Sequence, residues 1–260
     1  HSENSMTILS VMVAFYSRVQ HDFIDHSKLI NDDAEFGLSL AATLSVRSLR
    51  PNIDGLLANP ERRVAVLQPN GWVTVMSPRF EDEFVRPETP AAARHFLTGI
   101  HHPSMAVERL DIVRRVAVTN SPVVAYQLLN GRRYRLAFVP LDNSPYCSVA
   151  LVACRTKCGD NATFCAENSC LTCTTGTLGE LSQLSLRELD VLRAMGFGAR
   201  RDVMASTFRG TLRQLHGTVR SVREKLEARD AFALSILSIK LGLIDFDDET
   251  WGRILMLRDC

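Results

Sequence analysis

The sequence predicts an α+β part followed by an all-α part of four helices, joined by a cysteine-rich stretch. Three observations carry this. Two Asn-Gly pairs, Asn70-Gly71 and Asn130-Gly131, each sit between runs of β-branched and aromatic residues, which is a hairpin signal. A further run of strand-forming residues, "YCSVALVAC" (146–154), follows the second pair. From Leu184 onward the apolar period becomes helical, most clearly in Leu212, Leu215, Val219, Val222 and Leu226, spaced 3, 4, 3 and 4.

Residues 6–50 read as helices. In "ILSVMVAFYSRVQHDFI" the apolar residues are too dense for a clean stripe, whereas "AEFGLSLAATLSVRSL" shows one in Phe36, Leu38, Leu40, Leu44 and Leu49. Such helices suit pairing with a copy of themselves or packing on the next domain. "RVAVLQ" (63–68) and "WVTVMS" (72–77) alternate on either side of the turn "PNG". "PRFEDEF" (78–84) opens on proline, which the first helical turn tolerates. "RPETPAAARHFLTGIHHP" reads as loop with a short helix, and "SMAVERLDIVRRVAVTN" (104–120) as a helix capped by Ser104. Strands are expected over "PVVAYQLL" (122–129), "RRYRLAFVPL" (132–141) and 146–154. One sheet of five antiparallel strands with helices on one side would bury these faces.

"RVAVLQPNGWVTVMSPRFEDEF" resembles the opening of a PAS domain, and "NGRRYRLAFVPL" its fourth strand, so the likeness spans residues 61–155. The resemblance implies a sensory or dimerisation domain with a pocket for a small ligand between sheet and helices. His95, His101 and His102 lie where some PAS domains bind haem, although a lone histidine is more often a surface or packing residue.

Between the two parts, residues 156–182 form a connector. Cys158, Cys165, Cys170 and Cys173 fall within 16 residues, with Cys154 just before them at the end of the last strand. Four thiolates can close a tetrahedral zinc site or hold an iron–sulfur cluster, with Cys154 as an alternative ligand. A redox disulfide such as Cys170–Cys173, or a plain linker that contains thiols, is equally compatible with the spacing.

The helical part, residues 183–245, is the most informative. Ser185 and Glu188 have capping-box spacing ahead of Leu189, Val191, Leu192 and Met195. Gly196 and Gly198 end that helix. A short helix over 200–208 turns Val203, Met204 and Phe208 inward, and "RGT" (209–211) is a tight glycine-containing turn. Thr211 then caps the helix of the 3-4-3-4 stripe, and a fourth apolar helix covers 231–244. Two helices joined by a short turn, the second bearing arginines outside, make a helix-turn-helix, whose second helix fits the major groove of DNA.

"LSLRELDVLRAM", Gly198, Met204-Ala205 and "VRSVREKLEARDAFALSILSIKLGLI" resemble the LuxR/GerE-type DNA-binding domain without a gap over residues 184–244. In that family the positions of Leu184, Leu189, Leu192, Met204, Leu215, Val222 and Leu226 are core. Those near Leu212, Arg213, His216, Gly217, Arg220 and Arg223 face DNA, and the last helix pairs two subunits. The candidate DNA contacts are accordingly Arg200, Arg201, Arg209, Arg213, Gln214, His216, Gly217, Arg220, Arg223 and Lys225. The chain departs from the family at Gln214-Leu215, at Thr218 and in "RRDVMA", which puts the usual base contacts in question.

Charge points the same way. The whole chain carries +1, but residues 184–244 hold eleven Lys or Arg against six Asp or Glu. A basic module on an acidic remainder suits an anionic partner. No P-loop, G-x-S-x-G or H-E-x-x-H occurs, so no enzyme is expected. The early run "MTILSVMVAFY" is shorter than the roughly 20 residues a membrane span takes and lacks a basic flank, so a cytoplasmic protein without membrane contact is expected. The sequence therefore reads as a homodimeric, DNA-binding transcription regulator that answers a small-molecule, metal or redox signal. The alternative is a metal- or redox-sensing interaction module whose degenerate helix-turn-helix no longer reads DNA. Residues 246–260 have no assignable role from sequence.

Overall fold

The tight hairpin at Asn130-Gly131 sets the register of the largest part of the sheet. Both residues have positive φ, +50° and +73°, the conformation of a type I′ turn, and Leu129 pairs directly with Arg132 across it. The computed structural model describes residues 53–85, 89–95, 97, 103–141, 148–155 and 170–256, so the helices expected over 6–50 lie outside the described residues. The turn joins β3 (Val123–Leu129) to β4 (Arg132–Pro140). With β1 (Arg63–Leu67), β2 (Val73–Met76) and β5 (Val149–Arg155) they give the five expected strands, antiparallel throughout.

The sheet has a sixth strand. β6 (Cys170–Gly176) runs parallel to β3 and completes the order β2-β1-β5-β4-β3-β6. Part of the expected connector is therefore sheet. Sequence reading missed it because "CLTCTTG" is short, threonine-rich and lacks a turn partner; a parallel edge strand has no hairpin signal. Pairing with β3 places Cys170 beside Val124 and Tyr126 on one face and Cys173 in the main core on the other. Alternation along a strand sends residues three apart to opposite faces. Cys170 and Cys173 are thus not placed to share one metal ion or to close a disulfide with each other. Cys158 and Cys165 lie outside the described residues, among which no group of three His, Cys, Asp or Glu could hold a metal ion.

The four central strands of the sheet are buried on both faces, where helices on one side were expected. All of β1 and β3 is buried, so the alternation seen in "RVAVLQ" does not correspond to a wet face. Strands covered on both sides read as continuous apolar runs. The inner face packs under α2 (Pro78–Phe84) and α3 (Pro103–Thr119), with Phe80, Met105, Val113, Val116, Leu136, Phe138 and Leu151 in one core. Ser77 caps α2 by accepting from the Phe80 N–H at 3.3 Å. On the outer face, α1 (Ile53–Ala58) places Leu56 against Val64, Val139 and Val152.

Two carboxylates fix the helices to the sheet. Glu83 of α2 accepts from Arg63 at 2.5 Å, from Arg155 at 2.9 Å and from the Tyr134 hydroxyl. Burial alone would raise its pKa, but the bonds and charges of Arg63 and Arg155 hold it below the ordinary carboxylate value. Glu108 of α3 accepts from the backbone N–H groups of Thr174 and Thr175, at 2.7 and 3.1 Å, where the β3–β6 register shifts and ladder bonds are lost. Beside it the fully buried Arg109 donates to Gln127 at 3.0 Å, and burial pushes its guanidinium down to about 10 against the pull of Cys173 and Glu108.

The helical part comprises α4 (Leu186–Gly196), α5 (Arg201–Thr207), α6 (Leu212–Lys225) and α7 (Ala231–Lys240), as the period predicts. The fourth helix stops at Lys240 rather than 244, because Gly242 turns left-handed (φ +70°) and a short 3-10 turn follows at Leu243–Asp245. The segment without an assignable role folds as α8 (Asp248–Met256), whose Trp251 and Ile254 are buried in the core of the helical part. Its Trp251 indole donates to Asp190 of α4 at 2.9 Å.

That core does not end at the helices. Leu128 of β3 belongs to it, with Leu178, Leu181, Phe246 and Trp251. Arg133 of β4 lies over the ring of Tyr126 at 4.1 Å, faces the ring of Phe246 at 5.7 Å and pairs with Asp245 at 3.2 Å. Its backbone N–H donates to the Leu241 carbonyl at 2.8 Å. A Cβ on Gly242 would come within 2.7 Å of the Arg133 Cβ, so glycine is required there by close approach as well as by φ. The helical part is therefore seated on the sheet's outer face, not hung from a linker.

Candidate nucleic-acid interface

Local sequence builds the helix-turn-helix from its caps outward. Ser185 accepts from the Glu188 N–H at 3.3 Å and Glu188 accepts from the Ser185 N–H at 2.7 Å, the predicted capping box. A second box, unforeseen in the sequence, starts α6: the Gln214 side chain accepts from the Thr211 N–H at 2.8 Å, and Thr211 caps in return. Glutamine at the third helical position was the available signal. Met204, Leu215 and Val222 are buried as expected, whereas Val203 and Leu212 are each 50% exposed. α5 is too short to bury both faces, and Leu212 is the first residue of α6.

The turn departs from expectation in detail. Its left-handed residue is Arg209 (φ +48°), not Gly210. The Gly210 and Arg209 N–H groups close a Schellman motif onto Ala205 and Ser206, at 2.9 and 3.1 Å. An arginine therefore occupies the position that glycine usually takes, with its side chain exposed.

All ten candidate contacts stand on the surface. Arg213, Gly217 and Arg220 form the outward stripe of α6, and Glu224, which the sequence reading omitted, continues it. Arg220 donates to Glu224 at 2.8 Å, Arg200 to Asp202 at 2.7 Å, and Lys225 to Glu188 at 2.7 Å. Arg201, Arg209, Arg213 and Arg223 form no ion pair among the described residues. Arg201, His216, Val219, Arg220, Arg223 and Ala231 line a cleft of about 250 Å³ between α5, α6 and the start of α7, where Arg201 lies 3.4 Å from His216. Gln214 points its oxygen back into the capping box, leaving its amide as the outward group. The charge count overstates what the surface offers. Arg193 turns inward to donate to the Leu243 and Phe246 carbonyls and to Asp248, fastening α4 to the segment before α8.

Gly217 lies in mid-helix, where glycine costs about 0.8–1 kcal/mol relative to alanine. A Cβ built there meets nothing within 4 Å. Glu188 joins the two helices from behind the interface. It accepts from Lys225 and from Ser221 of α6, at 2.7 and 2.6 Å, while capping α4. Burial would raise its pKa, yet these bonds bring it down to about 2.

No protein-family model matches the sequence, and no curated protein matches it. Several solved structures are similar in arrangement. VqmA of Vibrio cholerae in complex with ligand and DNA is 16% identical over 78% of this chain and 93% of that one, with a TM-score of 0.41. The phage VqmA–DPO complex is 13% identical over 80% and 95%, with a TM-score of 0.35. A domain of an HTR-like protein from Haloarcula marismortui is 18% identical over 38% and 100%, with a TM-score of 0.32. At these identities and scores the likeness carries no argument by itself.

His95, one of the histidines noted for haem, stacks on Trp72 at 5.3 Å and lies 3.4 Å from the Val73 carbonyl, a packing role at the β2 edge. No helix among the described residues is long and apolar enough to cross a membrane.

Proposed function

We propose that the chain is a DNA-binding transcription regulator of the LuxR type, in which the helix-turn-helix α5–α6 reads duplex DNA and the sheet domain, PAS-like in its element order, receives a small-molecule signal. The observation that carries this is the exposure of Arg213, Arg220 and Arg223 on a doubly braced helix. Its N-terminus is closed by a capping box and its inner face is held by Glu188. An α-helix fits the major groove, and guanidinium groups pair with phosphates and with guanine edges. In a homodimer two such helices would meet half-sites about one helical turn apart. Phe232 of α7, 60% exposed, offers an apolar anchor for that pairing.

The test is fluorescence-anisotropy titration of labelled duplexes, first a random pool and then sequences enriched from it, at several salt concentrations. Arg213 and Arg223 are expected to contact phosphate. Each change to alanine should weaken binding to all duplexes and flatten the log–log salt slope by about one ion. Salt slopes unchanged in the Arg213→Ala/Arg223→Ala double variant would remove both residues from the contact surface. A wild-type chain that binds no duplex would end the regulator reading.

A further inference from the structure

The glycine at the centre of α6 is not explained by the chain's own packing. Gly217 is not among the residues with positive φ, so no left-handed backbone requires it. α6 runs unbroken from Leu212 to Lys225, so it marks neither an end nor a break. A Cβ there would meet nothing within 4 Å, in contrast to Gly242, where it would collide with Arg133. Glycine in a helix interior is unfavourable on backbone entropy alone. A position that weakens its helix while freeing no space inside the molecule is accounted for by what approaches from outside.

The surroundings say what that is. Gly217 is exposed, with Arg213 four residues before it and Arg220 three residues after it on the same face. The face thus has a cationic group at either side and bare backbone between. That profile fits a groove with anionic walls and a close floor. An α-helix with side chains is about 10–12 Å across and the major groove about 12 Å wide, so one absent side chain decides how deep the helix can sit.

We infer that Gly217 is the point of closest approach to the groove floor, and that it sets the depth at which Arg220 reaches base edges while Arg213 stays on phosphate. This rests on the duplex reading given above. Glycine here acts on specificity more than on bulk affinity, because phosphate contacts tolerate a shallower seat and base contacts do not.

The experiment uses the full chain and a duplex enriched from a random pool by the wild type. Gly217→Ala and Gly217→Leu are compared with it for thermal midpoint, for affinity to the enriched duplex and for affinity to an unselected duplex. Both variants should fold, since Gly217 is exposed and a Cβ there meets nothing within 4 Å, and Gly217→Ala should melt roughly 2–8 °C higher. Affinity for the enriched duplex should fall about tenfold for alanine and further for leucine, while the unselected duplex changes less than about threefold. If both variants bind the enriched duplex as the wild type does, with the raised melting point, this inference fails and the regulator reading stands. A wild-type chain that enriches no sequence overturns both.

Discussion

Glu188 does two things with one carboxylate: it completes the capping box of α4 and holds Lys225 and Ser221 of α6. Its folded pKa of about 2 lies below the unfolded value near 4.5. The stabilisation is therefore fully present above pH 4.5 and is lost as pH falls toward 2, because the unfolded chain takes up the proton first. Acid titration of Glu188→Gln should show a shallower loss of stability across that window than the wild type, measured by urea midpoints at each pH. Glu227 offers a gain instead. It follows α6 at φ +52°, where the Ala228 N–H closes a Schellman bond to the Arg223 carbonyl at 2.9 Å. A left-handed residue with a Cβ costs roughly 1–2 kcal/mol, part of which glycine returns as unfolded-state entropy. Glu227→Gly should therefore raise stability by about 0.5–1 kcal/mol in chemical denaturation and leave DNA affinity within twofold.

At the scale of elements, β6 changes the meaning of the cysteines. The C-x2-C pair suggests chelation only while the segment is free to curl; a strand separates the two thiols by the thickness of the sheet. Burial pushes the Cys173 thiol above its ordinary range, and the Glu108 carboxylate pushes it the same way. Cys170 lies half-buried on the opposite face. Timed alkylation followed by peptide mapping should label Cys170 in the folded protein well before Cys173, with both equal in denaturant. Equal rates in the native state would mean that β6 is not docked. The caps tell a different story about legibility. Ser185, Glu188 and Thr211 were readable because capping depends on residues three apart in sequence. The left-handed Arg209 was not, because no local rule favours arginine there over the glycine beside it.

For the whole molecule, the seat between sheet and helices is the consequential feature. Leu128 lies in the helical core, Arg133 lies between Tyr126 and Phe246 and pairs with Asp245, and α8 packs Ile254 and Trp251 behind β6 and α4. A signal that alters the sheet would in this arrangement reach α6 through packed side chains rather than along a tether. Trp251→Ala should cost about 3–5 kcal/mol, the range for truncating a buried aromatic side chain. Arg133→Ala removes both the ring contacts and the Asp245 pair. It should split the thermal transition into two, read by calorimetry, with the helical part melting first. One unshifted cooperative transition in Arg133→Ala would show that the seat contributes nothing to coupling.

The sequence by itself determined what depends on near neighbours: the two Asn-Gly turns, the strands around them, the capped helices, the helix-turn-helix and the outward arginines of α6. Periodicity and capping act over a few residues, so a single chain displays them. Only the tertiary structure decided that Cys170–Gly176 joins β3 as a parallel edge and that Cys170 and Cys173 face opposite ways. It alone decided that Arg193 turns inward, and that residues 241–256 lock the helices to the sheet. Those outcomes are set by contacts between residues far apart in the chain, whose free energy comes from burying surfaces against each other, and such surfaces leave no periodic trace of which partner they will meet.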